Sequence, residues 1–595
     1  MARAVSASIG GAVRYTVMSD GAAINPLFQL LSFTIRNEVN RIGKALLVFR
    51  AGDMPNATIP ESEESTFLPG KSVSIAAGYG DDEEVLFEGV VVSHSVRVLG
   101  ANDTTLEVEC RHYAVQTTQS RFNRVFNDKT DSDIIATLLG AYSQIDASVA
   151  STSAVHPEVV QHCSTDWDFI TSRADANGLV IITDGKAVRV ARPDVSGAPT
   201  VRVTYGIDLL EFHGELNAAG QQDQVSALGW DPATQSTVET QSASPTLNDQ
   251  GDIDQQKLAA AIANTGETIF NATSDQATLQ AWADAKVLRL GLSRIRGTCK
   301  FNGDAGVVLG GLLELEGLGS RFNGNAYVGA VEHTLDETGW YTTVQLGLDS
   351  DDITQLPAVT VPPAFGFVPG VHGLCIGVVS KLDADPSNEY RIQVELPMYD
   401  KSNQLIWARL AQGWASDGFG LFHMPEVGDE VVLGFLGGDP AHAIVLGSLY
   451  SSKRKPAYEI TAENAIRAIT TRSGIVIELD EENKVVTVKT PSGNSIELND
   501  KDKAMRLIDM NQNKIEMGSS GVVIESASSL TINAKTDVSI NAGTALKATA
   551  KTSLEIGAAN VEAKADMALT LKGNAKAEVS AAGQTVLRGA MVMIN

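Results

Sequence analysis

The chain has 595 residues and a mass of 63.0 kDa; at ~150 residues per domain this length suggests about four domains, and 43% hydrophobic content is enough for their cores. With 46 Lys and Arg against 72 Asp and Glu the formal charge is −26, which opposes phosphate backbones and excludes a nucleic-acid partner unless a basic face exists that the sequence does not show. No stretch approaches the ~18 consecutive apolar residues of a membrane helix, and Cys110, Cys163, Cys299 and Cys375 lie too far apart for a CxxC site or a disulfide scaffold.

The N-terminus runs from Met1 to Ser6 into Gly10-Gly11 and Arg14 without the apolar core of a signal peptide, so synthesis in the cytoplasm with four reduced thiols is expected. The first 360 residues read mainly as short strands with Gly and Asn-Gly turns, and two helices are predicted, over 131–142 and 276–292. Residues 230–255, rich in Ser, Thr, Gln and Asp, read as an exposed loop. From about Gly370 to Tyr450 a small barrel of five or six short strands is expected, with clean alternation from Tyr390 to Leu396 and turn-bounded apolar runs at 430–436 and 442–447.

Beyond Tyr458 the composition changes. All 34 Phe, Trp and Tyr residues lie at or before Tyr458, and the last 137 residues hold one proline, Pro491, and no Cys or His. Between Ser473 and Met517 an apolar-acidic unit recurs: Ile475-Val476-Ile477-Glu478-Leu479, then Ile496-Glu497-Leu498, then Ile515-Glu516-Met517, the isoleucines before each Glu standing 19 residues apart. With Val485–Val488 and Met505–Ile508 between them and acidic turns at 480–483 and 499–502, this predicts a hairpin-like collar.

From Gly521 the chain divides into eight-residue units, one of them, Val561–Met567, shortened to seven. Slots two and four hold Val522/Ile524, Leu530/Ile532, Val538/Ile540, Leu546/Ala548, Leu554/Ile556, Val561/Ala563, Leu569/Leu571, Ala577/Val579 and Thr585/Leu587. An apolar pair at i, i+2 is the strand period, and 16 alanines among these 75 residues leave no material for an ordinary core. Each strand has one thin apolar edge that it cannot bury alone. Eight residues suit one face of a triangular prism wound from three chains, with Val522, Ile524, Leu530, Ile532, Val538, Ile540, Leu546, Leu554, Ile556, Leu569, Leu571, Val579 and Leu587 towards the axis. At ~4.8 Å per strand spacing, nine units give a needle of roughly 45 Å. The organisation read from the chain is therefore 1–365, 366–455 (barrel), 456–520 (collar) and 521–595 (needle), mainly β throughout.

No catalytic or metal site is assigned. His162-Cys163-Ser164-Thr165-Asp166-Trp167-Asp168 is the densest reactive set, but its spacing fits no ligand motif, and His333 and His423 read as satisfied barrel residues. Asp383–Ser387 opens like a calcium loop, but Asn388 occupies the glycine slot and Val394 the terminal glutamate position. Gly317–Phe322 lacks the third glycine of a dinucleotide loop, and the acidic runs 61–64 and 81–84 read as solvated loops.

Six segments, in order, resemble the VgrG-type spike family of contractile injection systems: Arg36–Ala45; Phe67–Lys71 with Leu86–Val91; Thr165–Phe169 with Arg173-Ala174 and Asn177-Gly178; Arg321–Gly324 with Val328 and Val331–His333; Pro425–Val431 with Gly438–Pro440 and Leu446–Tyr450; and Gly589–Asn595. The resemblance implies a homotrimeric spike: a hub of paired β-barrels with a few helices up to about residue 365, an oligonucleotide/oligosaccharide-type (OB) barrel, and a trimeric intertwined β-helix needle. It implies tail-tube and baseplate proteins at the hub, effector cargo, and a PAAR-type tip protein on the last residues, Gly589, Met591, Val592, Met593, Ile594 and Asn595. It implies no cofactor and no catalysis: the target envelope is pierced mechanically, with transient membrane contact, from a cytoplasmic or a released extracellular particle. The N-terminal signature resembles phage-derived extracellular particles and the Bacteroidetes-type secretion variant more closely than proteobacterial type VI tips. Some relatives carry an enzyme after the needle or a lysozyme before it; neither is expected here, since the chain stops at Asn595 and about 20 residues separate barrel from collar. The competing reading is a trimeric receptor- or glycan-binding tail fibre, which calls for aromatic or carboxylate clusters on the prism.

Overall fold

Period-two alternation builds the first half of the protein. In Lys44–Arg50 the residues Ala45, Leu47 and Phe49 are buried, and in Ser72–Tyr79 so are Val73, Ile75 and Ala77, each set on one face of its strand. The computed structural model describes residues 2–7, 10–100, 103–232, 234–262, 264, 266–271, 275–351, 353–355, 361, 363–399 and 404–594. Its contacts divide the chain into two units, Met1–Leu449 and Tyr450–Asn595.

In the first unit a 14-stranded sheet wraps two cores. The strand Gly324–Asp336 joins them: its first half pairs with Leu312–Glu316, its second half with Gln29–Glu38, and it turns back into Gly339–Leu346. One core gathers Phe33, Ile35, Leu47, Phe49, Phe67, Ile75 and Leu106, with the Phe28, Phe49 and Phe67 rings 5.0–5.5 Å apart. The other gathers Val201, Val203, Cys299, Phe301, Leu313, Val328 and Val344. The paired barrels expected from sequence are thus two sheet-wrapped cores that share long strands.

The helix Asp131–Leu139 is shorter than the predicted 131–142, because the chain turns at Gly140 and Tyr142 is diverted to donate its hydroxyl to Asp166. Gln276–Leu292 forms as predicted, capped by Asp275. A further helix, Asp166–Ala176, was not anticipated.

The exposed-loop reading of 230–255 is corrected. Ser236–Gln241 is a strand paired to Val225–Asp231, and Asn248 and Gln250 are buried. The guanidinium of Arg294, 4% exposed, donates to the carbonyls of Asn248 and Gly291 and to the Asn248 side chain, so the polar residues of this segment satisfy a buried cation.

Five strands, Cys375–Lys381, Ile392–Glu395, Leu405–Leu410, Glu430–Phe435 and Ala443–Ser448, close a small barrel over Val379, Ile392, Val394, Ala408, Val431, Leu433 and Val445. The second of these is shorter than the alternating stretch because Arg391 is drawn out of it by Asp385. Among the described residues no helix is long and apolar enough to cross a membrane.

Removing the central ring of the first core tests its cohesion. Phe49→Ala is expected to cost about 3–5 kcal/mol and lower the melting temperature clearly, whereas Leu27→Ala, at a site 84% exposed, leaves it nearly unchanged. Equal effects from the two would mean that Phe49 is not packed as described.

Candidate functional site

Two clusters of reactive residue types in the first unit hold its elements together. Cys163 sits at a bulge with φ +43°, its N–H donating to Asn123, and Thr165 and Asp168 close the start of the helix Asp166–Ala176. Asp166, 1% exposed, accepts from Arg124 (2.7 Å), Gln161 (2.8 Å) and Tyr142 (2.8 Å). Burial, reinforced by that bond to Asp166, pushes the Tyr142 phenol up to about 12.

A second such cluster carried no sequence motif. Asp131 accepts from Arg173 through both oxygens (2.6 and 2.9 Å), from Asn177 (2.7 Å) and from His156 (3.1 Å), tying two helices and a strand together. Burial acts to raise the Asp131 carboxyl, but the bonds from His156, Arg173 and Asn177 outweigh it and bring it down to about 2. The available signal was the pair Thr130–Asp133 and Thr165–Asp168, two S/T-x-x-D helix starts in one domain.

The remaining candidates, His423 apart, are also structural. Asp385 accepts from the N–H groups of Ser387, Glu389 and Arg391 and from the Arg391 guanidinium, which lowers its carboxyl pKa and closes the turn that resembled a calcium loop. Gly317 and Gly319, both at positive φ, form a tight turn whose Leu318 N–H donates to Asn323. His333 is buried against Trp340 and hydrogen-bonded to Thr342 at 3.0 Å, as read from the sequence. His423 departs from that reading: it is exposed in an irregular segment. Glu61 accepts from the Gly52 N–H, and Asp81 pairs with Arg14. Among the described residues no three His, Cys, Asp or Glu side chains converge as metal ligands.

The second unit carries a different kind of site. Its seven strands, from Ile466–Thr470 to Gly521–Glu525, form an antiparallel meander, two strands to each 19-residue repeat. The repeat recurs in the backbone: Gly474 and Gly493, then Lys484 and Lys503, take positive φ at equivalent turns. The cross-strand register places the apolar residues in two unbroken columns on one face. One runs Leu479, Val486, Leu498, Met505, Met517, Val522; the other runs Ile469, Ile477, Val488, Ile496, Leu507, Ile515, Ile524.

The opposite face is mixed, with a polar middle. Its central row runs Ala468, Glu478, Thr487, Glu497, Arg506, Glu516 and Val523, in which Arg506 bridges Glu497 (2.7 Å), Asp502 (3.1 Å) and Glu516 (3.3 Å) and Lys514 bridges Glu516 and Glu525. These contacts raise the pKa of Arg506, chiefly through its bond to Glu497. Polarity thus marks the solvent side, yet the apolar columns are uncovered: Ile496 is 50% and Leu507 47% exposed.

The columns end in Val522 and Ile524, which are slots two and four of the first octad. From there to Ile594 every described residue is exposed, and no strand pairing within the chain is made beyond Glu525 among the described residues. The backbone bends in the last slots of each unit, at 527–528, 535–536, 543–544, 551–552, 559, 566–567, 574–575, 582–583 and 590. The spacing is eight, except for the single step of seven at Val561–Met567, where the sequence is one residue short. Slots two and four stay open, from 56% at Ile524 to 78% at Leu571 among the large side chains assigned to the needle axis. At the end, Met591, Val592, Met593 and Ile594 are 53–85% exposed; Asn595 lies outside the described residues.

Against known families, residues 10–337 match the Alg8 N-terminal domain. The chain belongs to the Alg8 N-terminal domain family. Residues 375–450, which contain the closed barrel, match the type VI secretion system/phage-baseplate injector OB domain. The chain is similar to the type VI secretion system spike protein VgrG1b of Pseudomonas aeruginosa, 22% identical over 449 residues that cover 68% of this chain and 57% of that protein. It is 27% identical to VgrG1a of the same organism over 194 residues, 30% of this chain and 29% of that one. It therefore spans little more than half the length of the first of these relatives and less of the second. Among solved structures, the 43 kDa tail protein of prophage MuSo2 from Shewanella oneidensis aligns with 57% of this chain and 99% of its own, at 12% identity and a TM-score of 0.43. The resemblance to VgrG-type spikes read from the motifs is thus borne out by curated relatives, and the mainly β fold with an OB barrel is the one observed.

Within the Alg8-type domain, His112 and His333 set a pH dependence. Burial lowers both imidazoles to about 4 from an ordinary 6.5. The unfolded chain therefore binds more protons between those values, so the stability from keeping them neutral is complete above about 6.5 and is lost as pH falls towards 4. Asp131, with its carboxyl near 2, keeps its contribution until the pH drops below its ordinary 3.8. The melting temperature is expected to fall between pH 7.5 and 5, and less steeply in His333→Gln; an unchanged slope in that variant would remove His333 as a cause.

Proposed function

We propose that this protein is the central spike of a contractile injection machine: a homotrimer whose hub joins the tail tube and whose needle pierces the target envelope when the sheath contracts. One observation carries the reading. The two apolar columns of the meander end in Val522 and Ile524, slots two and four of the first octad, and among the described residues nothing covers them or the apolar slots that follow. Burying such side chains is worth roughly 1–2 kcal/mol each at this degree of exposure, and unpaired extended backbone needs neighbours that donate and accept hydrogen bonds. Two further copies around a threefold axis supply both. The collar is then the upper part of the same prism, and its acidic-basic face is the outer wall.

The VgrG relatives support the spike reading, and the chemistry points the same way. The reactive clusters are internal ties, which favours mechanical work over catalysis. The fibre reading is not favoured, since no aromatic residue lies beyond Tyr458 to stack a sugar. In this proposal Gly589, Met591, Val592, Met593, Ile594 and Asn595 dock a PAAR-type tip protein, the hub meets tube and baseplate proteins, and effector cargo travels with the assembly. The protein is made in the cytoplasm and works in an anchored or a released particle, touching the target membrane only transiently.

Light scattering on the chromatographed full-length chain tests this directly. The expected mass is three times 63.0 kDa, lost or replaced by aggregate on deletion of the residues after Gly521. Ile496→Glu together with Leu507→Glu, a directly opposed pair, is expected to abolish the trimer, whereas Thr487→Glu on the outer face leaves it intact. A stable monomer for the unaltered chain would sink the proposal.

A further inference from the structure

A cavity of about 190 Å³ lies in the first unit, between the helices Asp166–Ala176 and Gln276–Leu292 and beside the strand Gly339–Leu346. Two stretches far apart in the sequence meet there: Glu38–Arg41, at the end of the strand Gln29–Glu38, and Trp167 and Asp168, in the first turn of the helix. The apolar part of the lining, Val39, Trp167, Leu179 and Leu292, is buried. Part of the wall is bare backbone. A Cβ on Gly329 would come within 2.1 Å of the Gly347 carbonyl oxygen, and one on Gly347, at φ +73°, within 2.4 Å of the Ile295 carbonyl oxygen. The strands themselves therefore set the shape of that wall.

Charge is uneven around the cavity, where five carboxylates stand against two guanidinium groups. Asp175 and Arg289 pair at 2.5 Å, and Glu38 lies 4.0 Å from Arg41. The other three carboxylates are less committed. Asp168 accepts from the neutral Thr165 hydroxyl at 2.7 Å, Asp349 lies 3.3 Å from Arg296 with both side chains exposed, and Asp351 meets no cation among the described residues. Asp349 and Asp351 are exposed and so stand on the solvent side, where they favour a positive charge. Size narrows the choice of occupant. A dry cavity of about 150 Å³ holds benzene, whereas drug-sized ligands need roughly 300 Å³ or more. This one takes a single ring or branched alkyl group with a short arm.

We propose that the cavity binds a primary ammonium group carried on a short arm from one small apolar body, the body lying against Trp167 and Leu292 and the ammonium facing Asp349 and Asp351. The apolar part gains by leaving water while the cation keeps its access to solvent. Two sources offer this chemistry: a free organic amine, and the amino terminus of a protein that begins with an apolar residue. Every lining residue belongs to the first unit, so the inference is independent of the trimeric reading.

The test uses the full-length chain with its six tryptophans replaced by fluorotryptophan, the Trp167 fluorine signal being identified by its loss in Trp167→Phe. Phenethylamine is expected to move that signal and to saturate with a dissociation constant on the order of 1 mM. Its neutral counterpart, phenethyl alcohol, is expected to leave the signal in place at the same concentrations. Equilibrium dialysis of the unaltered chain gives the same constant without any substitution. Asp349→Asn with Asp351→Asn changes two exposed side chains and is expected to weaken binding roughly threefold to tenfold, with the melting temperature nearly unchanged. The peptide Phe-Gly-Gly amide carries the same ring and ammonium: binding tenfold tighter than the amine assigns the site to a protein terminus, and equal or weaker binding assigns it to a free amine. Equal movement with phenethyl alcohol, no binding of phenethylamine, or undiminished binding in the double variant overturns the inference.

Discussion

A pair of apolar side chains two residues apart is the constraint on which the second half of this protein rests. One strand with one such pair cannot exclude water from it, and a sheet of such strands has an apolar face but no second layer. Stacking strands in register extends the pair into two columns and raises the free energy to be gained from a partner without providing one. The meander and the octads differ in hydrogen bonding, one folded on itself and the other without strand pairing among the described residues, yet both repeat an apolar pair at i, i+2. Val522 and Ile524 belong to both: they close the columns of the meander and fill slots two and four of the first octad.

The first half solves its burial problem internally, and its chemistry follows from that. Two cores share strands, so the helices packed on the sheet are tied by buried carboxylates, Asp131 and Asp166, each surrounded by donors. Removing one partner of such a cluster strands a charge away from water, typically at a cost of about 3–5 kcal/mol. A group this committed is a poor acid or base. The dense reactive set around Cys163 is therefore best understood as an anchoring point.

Legibility in the sequence tracked periodicity. The octads, their one-residue deficit and the 19-residue repeat were all visible because a repeated unit states its pattern many times, and the bends fall where the units end. The helix Gln276–Leu292 was readable for the same reason, through 17 residues of consistent signal. The helix Asp166–Ala176 was missed because it is short and polar overall, although its capping residues and the spacing of Trp167, Ile170, Thr171 and Ala174, which share one buried face, announce it. Residues 230–255 misled because burial there serves the Arg294 guanidinium, and a segment that satisfies a buried cation has the polar composition of a solvent-exposed loop.

In the trimer proposed above, the seven-residue unit at Val561–Met567 would bear on how the three chains find one another. A strictly periodic ladder pairs equally well after sliding by a whole unit, so a perfect array of octads would admit staggered assemblies, each shorter by one rung and nearly as stable. A single short unit removes that degeneracy. When three chains are level, their shortened steps coincide and every rung closes; slid by one octad, each short step faces a full one and the columns lose phase between them. The missing residue thus works as a notch on a ruler, fixing the axial position of each strand by a mismatch that every incorrect alignment must accommodate.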